Sequence, residues 1–237
     1  MSMRILIVIP AYNEAENITR VMEELKETVP DADYVIVNDG SADGTAEICR
    51  EKGYRLIDLP VNLGLTGAFQ TGVRYAWLEG YDAVLQLDAD GQHDPRYVKD
   101  MVRVMEEKKA DLVIASRFVT EKKPHTLRML GSGMISAAIR VTTGKKLTDP
   151  TSGMRLWGRS LMKDMAYTIN FRPEPDTVAY LMRNGARVEE IQAVMRERVA
   201  GESYLSVGKS MKYMIQMCMN ILFIQWVLKR PASAGEH

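Results

Sequence analysis

Two carboxylates, Asp88 and Asp90, stand one residue apart at the end of an apolar run, in Leu85-Gln86-Leu87-Asp88-Ala89-Asp90-Gly91-Gln92-His93. Strand side chains alternate with period two, so in an extended chain the pair faces one way and can share an ion. Carboxylate oxygens suit Mg²⁺ or Mn²⁺, which commonly takes one or two protein carboxylates and fills its other positions with substrate phosphates and water. An Asp-x-Asp in a solvated loop is common; its place at a strand end, followed by Gln92 and His93, favours the metal.

Two further segments have the same placement. Ile9-Pro10-Ala11-Tyr12-Asn13-Glu14 ends the first apolar run, and Val37-Asn38-Asp39-Gly40-Ser41 ends the second. Asp39 could accept hydrogen bonds from a nucleobase edge or a ribose while Gly40 turns the chain. Taken singly, these are also what a strand terminator and a tight turn look like. Together, three loops following parallel strands converge on one edge of a sheet, where open α/β sheets bind ligands.

The elements that position these loops are legible in the pattern. Arg4–Ile9 is a continuous β-branched run, as expected of a strand buried on both faces. Asn13 and Glu16 have capping-box spacing, and Ile18, Val21, Met22 and Leu25 recur at helical spacing. Strands at Tyr34–Asn38, Tyr54–Ile57, Ala83–Leu87 and Leu112–Ala115 then alternate with helices through Ile48, near Ala68–Leu78 and near Tyr97–Glu107. Such alternation implies right-handed crossovers and a mostly parallel sheet sandwiched by helices. After Ser116 the rhythm changes to a basic stretch, a Gly/Ser/Ala-rich helical segment around Gly131–Val141 and a polar turn from Thr148 to Gly153.

The chain has 237 residues, 46% hydrophobic and 26% charged, enough to bury a sizeable core. Its zero net charge is unevenly spread: residues 1–116 carry 12 Lys/Arg against 21 Asp/Glu, whereas residues 117–159 carry 9 against 2. That asymmetry supports an anionic partner, although a solvated basic face also produces it. No nucleic-acid partner is expected. Cys49 and Cys218 are far apart, with no zinc-type spacing, and read as free thiols. The opening residues do not have the form of a secretory signal, so a cytoplasmic location is expected. Met211–Leu228 is apolar but interrupted by Lys212, Gln216, Asn220 and Gln225, short of the run expected of a spanning helix. An amphipathic helix resting on anionic lipid at the inner face of the membrane, packing on the protein's own core and a homodimer contact are all open readings of it.

These loops resemble those of the family 2 glycosyltransferases with the GT-A fold, and Asp88-Ala89-Asp90-Gly91-Gln92-His93 resembles the dolichyl- and polyprenyl-phosphate sugar synthases in particular. The resemblance covers roughly residues 4–205. It implies a catalytic domain over 1–205, with a nucleotide-sugar half (1–116) and an acceptor half (117–205), followed by a C-terminal amphipathic helix and tail (206–237). It implies that Pro10, Ala11, Tyr12, Glu14, Asp39, Asp88 and Ala89 hold base, ribose and diphosphate, and that Asp88, Asp90 and Gln92 hold the metal. Arg117 in Ala115-Ser116-Arg117-Phe118 and Arg155 after Asp149-Pro150-Thr151-Ser152-Gly153 match two more family segments and suit phosphate oxygens; a structural ion pair is the other reading of each. Glu174 in Phe171-Arg172-Pro173-Glu174-Pro175-Asp176 is the candidate general base, with Asp176 second. With an already anionic polyprenyl phosphate no strong base is needed, and Glu174 would then orient acceptor or sugar; a helix-dipole role is a third reading. Arg198, Gly201 and Ser203 match the family's Arg-x-x-Gly-x-Ser element, assigning Arg198 and Ser203 to phosphate or acceptor. The lipid-phosphate members usually have Lys after that Ser; this chain has Tyr204.

The implied activity is inverting transfer of a sugar from a nucleoside-diphosphate donor, with UDP the family expectation, to a membrane-associated acceptor such as polyprenyl phosphate or a cell-surface glycan. Asp90, holding the metal against the developing diphosphate charge, counts among the catalytic residues. A sugar nucleotidyltransferase would want a Gly-rich phosphate loop after the first strand, where Pro10–Glu14 contains no glycine. A non-catalytic nucleotide-sugar binder would be expected to lack the carboxylates this chain has.

Overall fold

The computed structural model describes residues 3–124, 126–167, 172–196 and 207–223. Strand β1 (Ile5–Ala11) is the sheet's central organiser. Leu6 and Val8 enter one core and Ile7 and Ile9 the other, which is why its sequence is apolar without alternation. β2 (Asp33–Asn38), β3 (Leu56–Asp58), β4 (Ala83–Gln86), β5 (Leu112–Ser116), β6 (Arg155–Gly158) and β7 (Val188–Gln192) complete a sheet of order β3-β2-β1-β4-β6-β5-β7. All pairings are parallel except those of β6, which runs antiparallel between β4 and β5.

Helices cover both faces. α1 (Ile18–Thr28), α2 (Thr45–Glu51) and α4 (Val98–Lys108) contribute to one core; α3 (Gly64–Leu78), α5 (Leu127–Thr143), α6 (Arg159–Tyr167), α7 (Pro175–Arg183) and α8 (Val207–Leu222) contribute to the other. α3 lies tight on β1 because Gly72 has no side chain: a Cβ there would sit 2.3 Å from a Val8 methyl. α8 packs on α5 and α7 and buries Met214, Met217 and Ile221 in the same core as Trp157 and Phe69. Its contact with α5 is tight at Gly131, where a Cβ would lie 2.7 Å from Met214 Cγ. Among the described residues no helix is long and apolar enough to cross a membrane.

The capping box expected at Asn13 and Glu16 is not formed. Asn13 adopts a left-handed backbone (φ 55°) and α1 begins only at Ile18, after Asn17. The Asn13 side chain is used across loops instead, its Oδ1 accepting the Ala42 N–H at 2.9 Å.

Candidate active site

The first two loops are stapled to each other. Asn13 N–H donates to Ser41 Oγ at 2.9 Å, Glu14 N–H to Thr45 Oγ1 at 2.9 Å and Ala15 N–H to Asp43 Oδ2 at 3.0 Å. Burial works to raise the Asp43 carboxyl, but hydrogen bonds from Thr45 and the backbone outweigh it and hold the pKa below its ordinary value. Pro10 and Ala11 are buried at the end of β1, Tyr12 is exposed beyond them, and Glu14 accepts from Asn17 Nδ2 at 2.7 Å.

Asp39 is buried at the end of β2. Its backbone N–H donates to Ala11 O at 2.8 Å and its Oδ1 accepts the Leu63 N–H at 2.7 Å, tying the β2 loop to the start of α3. Gly40 is required here: its φ is +66°, and a Cβ would meet Asn62 N at 2.8 Å.

Beyond β4 the chain stays paired through Leu87, whose N–H reaches Val8 O at 3.0 Å, and then turns at Ala89 and Asp90. Extended geometry therefore does not persist from Asp88 to Asp90, and the two carboxylates have different surroundings. The Asp88 side chain is 30% exposed and lines a cleft, accepting from Gln86 Nε2 at 3.2 Å, with His93 Nε2 at 3.6 Å. Asp90 is 4% exposed, and its Oδ1 accepts the Gln92 N–H at 3.0 Å. Gly153 leaves room at Asp88: a Cβ there would lie 3.1 Å from Asp88 Oδ2. Among the described residues no three His, Cys, Asp or Glu side chains converge as a self-sufficient metal cage.

The cleft encloses about 890 Å³ and brings Asp88 together with Arg155 and Glu174, alongside Gln70 and Arg74 of α3 and Tyr213 of α8. Arg155 is fully buried as the first residue of β6. Its Nε donates to Ser152 O at 2.8 Å, Nη1 to Pro173 O at 2.6 Å and Nη2 to Pro150 O at 2.7 Å, so it ties the turn before β6 to the segment before α7. Arg117 forms a two-pronged ion pair with Asp149, Nε to Oδ2 at 2.7 Å and Nη2 to Oδ1 at 2.9 Å. Glu174 occupies the N-cap position of α7 without a side-chain capping bond and accepts from Tyr213 Oη; Asp176 accepts from Asn220 Nδ2 at 3.0 Å. Arg198 and Ser203 lie outside the described residues.

Several residues of the site carried no earlier expectation. Arg74 and Arg172 line the cleft without an ion pair among the described residues, Arg74 lying over the Tyr167 ring at 5.4 Å. Arg196 joins Asp94 (2.8 Å) and Glu24 (2.5 Å), and its backbone N–H reaches Gln92 O at 3.0 Å, fastening the segment after β7 beside the Asp88–Asp90 turn. Tyr213 reaches the cleft from α8, next to the buried Met214, and no sequence signal marked it.

Comparison with known proteins agrees with this architecture. An undecaprenyl-phosphate mannosyltransferase of Micrococcus luteus is 32% identical over 218 residues, covering 87% of this chain and 89% of that protein. The polyprenol monophosphomannose synthase of Mycolicibacterium smegmatis is 26% identical over 216 residues, covering 86% and 81%. In fold, the chain is similar to glucosyl-3-phosphoglycerate synthase of Mycobacterium tuberculosis, solved with Mn²⁺, uridine diphosphate and phosphoglyceric acid, at a TM-score of 0.68 and 19% identity over 93% of this chain and 79% of that one. The sheet and its flanking helices are of the GT-A type. The family model for glycosyl transferase family 2 matches residues 6–166, and this chain belongs to that family.

Proposed function

We propose that the protein transfers a hexose, with inversion, from a nucleoside-diphosphate sugar to a polyprenyl phosphate at the membrane surface. The observation that carries this reading is Asp88, just beyond the carboxyl end of β4, in the wall of a cleft of about 890 Å³ that it shares with Glu174 and Tyr213 from the other half of the chain. The names of the mannosyl-transferring relatives support the polyprenyl phosphate acceptor. A UDP-sugar is the donor the resemblance implies, and the structural neighbours solved with uridine diphosphate support it; a GDP-sugar is the competing donor.

Residues 1–116 serve the donor in this reading. Pro10, Ala11, Tyr12, Glu14, Asp39 and Ala89 surround base and ribose, with the stapled loops holding them in register. Asp88, Asp90 and Gln92 would hold Mg²⁺ or Mn²⁺. The residues fit that group: both carboxylates are oriented by hydrogen bonds from Gln86 and Gln92, and a side chain at Gly153 would crowd Asp88. Structural neighbours were solved with Mn²⁺ or Mg²⁺ beside uridine diphosphate. A bound ion supplies stabilisation of the charge that develops on the leaving diphosphate, with the remaining ligands drawn from the substrate.

Residues 117–205 serve the acceptor. Glu174 orients the sugar by accepting from its hydroxyls, with Asp176 behind it, and because an anionic acceptor needs no proton removed it is not required as a base. Arg117 and Arg155 shape the acceptor side through Asp149 and three carbonyls, while Arg74 and Arg172 present cations to the cleft; Arg198 and Ser203 complete the phosphate contacts. Calorimetric titration of UDP, GDP and dTDP, with and without Mn²⁺, tests the donor side, and transfer of labelled sugar to undecaprenyl phosphate tests the acceptor. The reading requires one nucleotide to bind with a metal dependence that Asp90→Ala abolishes; absence of binding by all three sinks it.

A further inference from the structure

Helix α8 sends two polar side chains, seven residues and so two turns apart on one face, to a single target. Tyr213 Oη donates to Glu174 Oε2, and Asn220 Nδ2 donates to Asp176 Oδ2 at 3.0 Å. The two acceptors flank Pro175, the first residue of α7. Met214, Met217 and Ile221 are buried beneath the same helix, so apolar packing holds α8 in place and the two hydrogen bonds fix its register on α7. From the sheet side, Arg155 Nη1 grips Pro173 O at 2.6 Å. The short segment from Pro173 to Asp176 is thus held from both sides where it borders the cleft.

We propose that α8 is a clamp on the acceptor side of the cleft, with Tyr213 and Asn220 as positioning residues that orient the carboxylates of Glu174 and Asp176. The inference rests on the acceptor-side role given to Glu174 above, and extends the working site into the C-terminal helix. A glutamate side chain has three rotatable bonds, and holding it for reaction costs conformational entropy unless the fold has already restricted it. A phenol donating to one carboxylate oxygen supplies that restriction and leaves the other oxygen for the substrate. Burial, with the Glu174 charge adding to it, pushes the Tyr213 hydroxyl well above its ordinary pKa, so it remains a donor throughout the working pH range.

The test uses the full chain with undecaprenyl phosphate in detergent micelles and labelled GDP-mannose or UDP-glucose. Wild type, Tyr213→Phe, Asn220→Ala, Glu174→Ala and the Tyr213→Phe/Glu174→Ala double variant are compared for turnover, nucleotide affinity and hydrogen exchange over residues 173–178. Tyr213→Phe is expected to lower kcat/KM for the lipid phosphate by about tenfold or more while nucleotide Kd stays within about twofold. In the Glu174→Ala background the same change should add nothing, because the tyrosine acts through that carboxylate. An undiminished kcat/KM, an equal further loss in the Glu174→Ala background or a parallel fall in nucleotide affinity overturns the proposal. If the wild type transfers neither sugar, the acceptor reading fails, and exchange still decides the clamp: faster exchange at 173–178 in Tyr213→Phe upholds it and unchanged exchange refutes it. Should Tyr213→Phe not fold, Asn220→Ala is judged on turnover, nucleotide affinity and exchange alone.

Discussion

His93 contacts Asp88 through both ring nitrogens: Nδ1 accepts the Asp88 backbone N–H at 3.0 Å, and Nε2 stands 3.6 Å from Asp88 Oδ2. An Nδ1 that accepts a backbone N–H carries no proton, which leaves Nε2, the nitrogen nearer the carboxylate, as the ring's donor. The buried imidazole therefore anchors the Asp88 main chain and stands beside its carboxylate. His93→Ala should lower metal-dependent nucleotide affinity by about 10–100-fold, the usual cost of removing a group that orients a metal ligand. His93→Asn, whose amide can accept and donate, should recover part of the loss. Calorimetry with and without Mn²⁺ reads both, and equal affinity for all three proteins would refute the role.

Arg117 and Asp149 form the most deeply set ion pair near the site, with the carboxylate 0% and the guanidinium 25% exposed. Burial alone would raise the Asp149 pKa, but the Arg117 hydrogen bonds and charge outweigh it and hold it below the ordinary 3.8. A depressed folded-state pKa contributes stability that is present above the unfolded value and is lost as pH falls through the folded one. In Arg117→Met the depression is removed and burial raises the folded pKa, so ionised Asp149 becomes a liability that protonation relieves. The variant should be less stable than wild type by about 3–5 kcal/mol at pH 7, with the gap narrowing toward pH 4. Denaturant unfolding across that range decides it; a gap that is constant with pH would mean the pair does not govern the loss.

Gly153 is set by space rather than by backbone conformation. A Cβ there would lie 3.1 Å from Asp88 Oδ2 and 3.1 Å from His93 Cε1, and the ring is buried and cannot retreat freely. Gly153→Ala should therefore turn the Asp88 carboxylate and weaken metal-dependent nucleotide binding by about tenfold. The unfolding midpoint should move by no more than about 2 °C, since the contact borders an open cleft. A large drop in the midpoint with unchanged binding would reverse the argument.

The parallel βα half was legible because its signals are local. β1 is apolar on successive residues since both faces are buried, and Asp39 and Asp88 follow their strands within a few residues. The second half was harder to read for a physical reason. β6 is a four-residue strand, Arg155–Gly158, whose first side chain is a buried arginine bonded to three carbonyls; nothing in its composition marks it as a strand between β4 and β5. Arg155 and Arg117 suit phosphate as residue types, and only tertiary contacts reveal Asp149 and the three carbonyls as their partners. Tyr213 and Asn220 sit 39 and 44 residues from the carboxylates they touch, a separation that no periodicity encodes.

α5 and α8, packed together at Gly131, leave apolar side chains exposed: Leu130, Met134 and Val141 on the first, and Ile215 and Met219 on the second with Phe223, 60% exposed, just past its end. Positions 215, 219 and 223 fall four apart, one stripe along α8, opposite in purpose to the buried Met214, Met217 and Ile221. The basic stretch 117–159, with 9 Lys/Arg against 2 Asp/Glu, includes α5. Of those basic residues Arg155 is buried and Arg117 is paired with Asp149, so the exposed apolar stripe itself is what a lipid contact would use, and under the proposed polyprenyl phosphate acceptor the tail would be met there. Met219→Asp should reduce binding to phosphatidylglycerol-containing vesicles by about tenfold, since one exposed side chain of this size contributes about 1–2 kcal/mol when buried. Turnover with a short-chain, water-soluble polyprenyl phosphate should be retained, because Met219 points away from the core. Flotation of both proteins with neutral and anionic vesicles makes the measurement. If neither floats and the wild type sediments as a dimer that Met219→Asp dissociates, the stripe is a subunit contact and the lipid assignment falls.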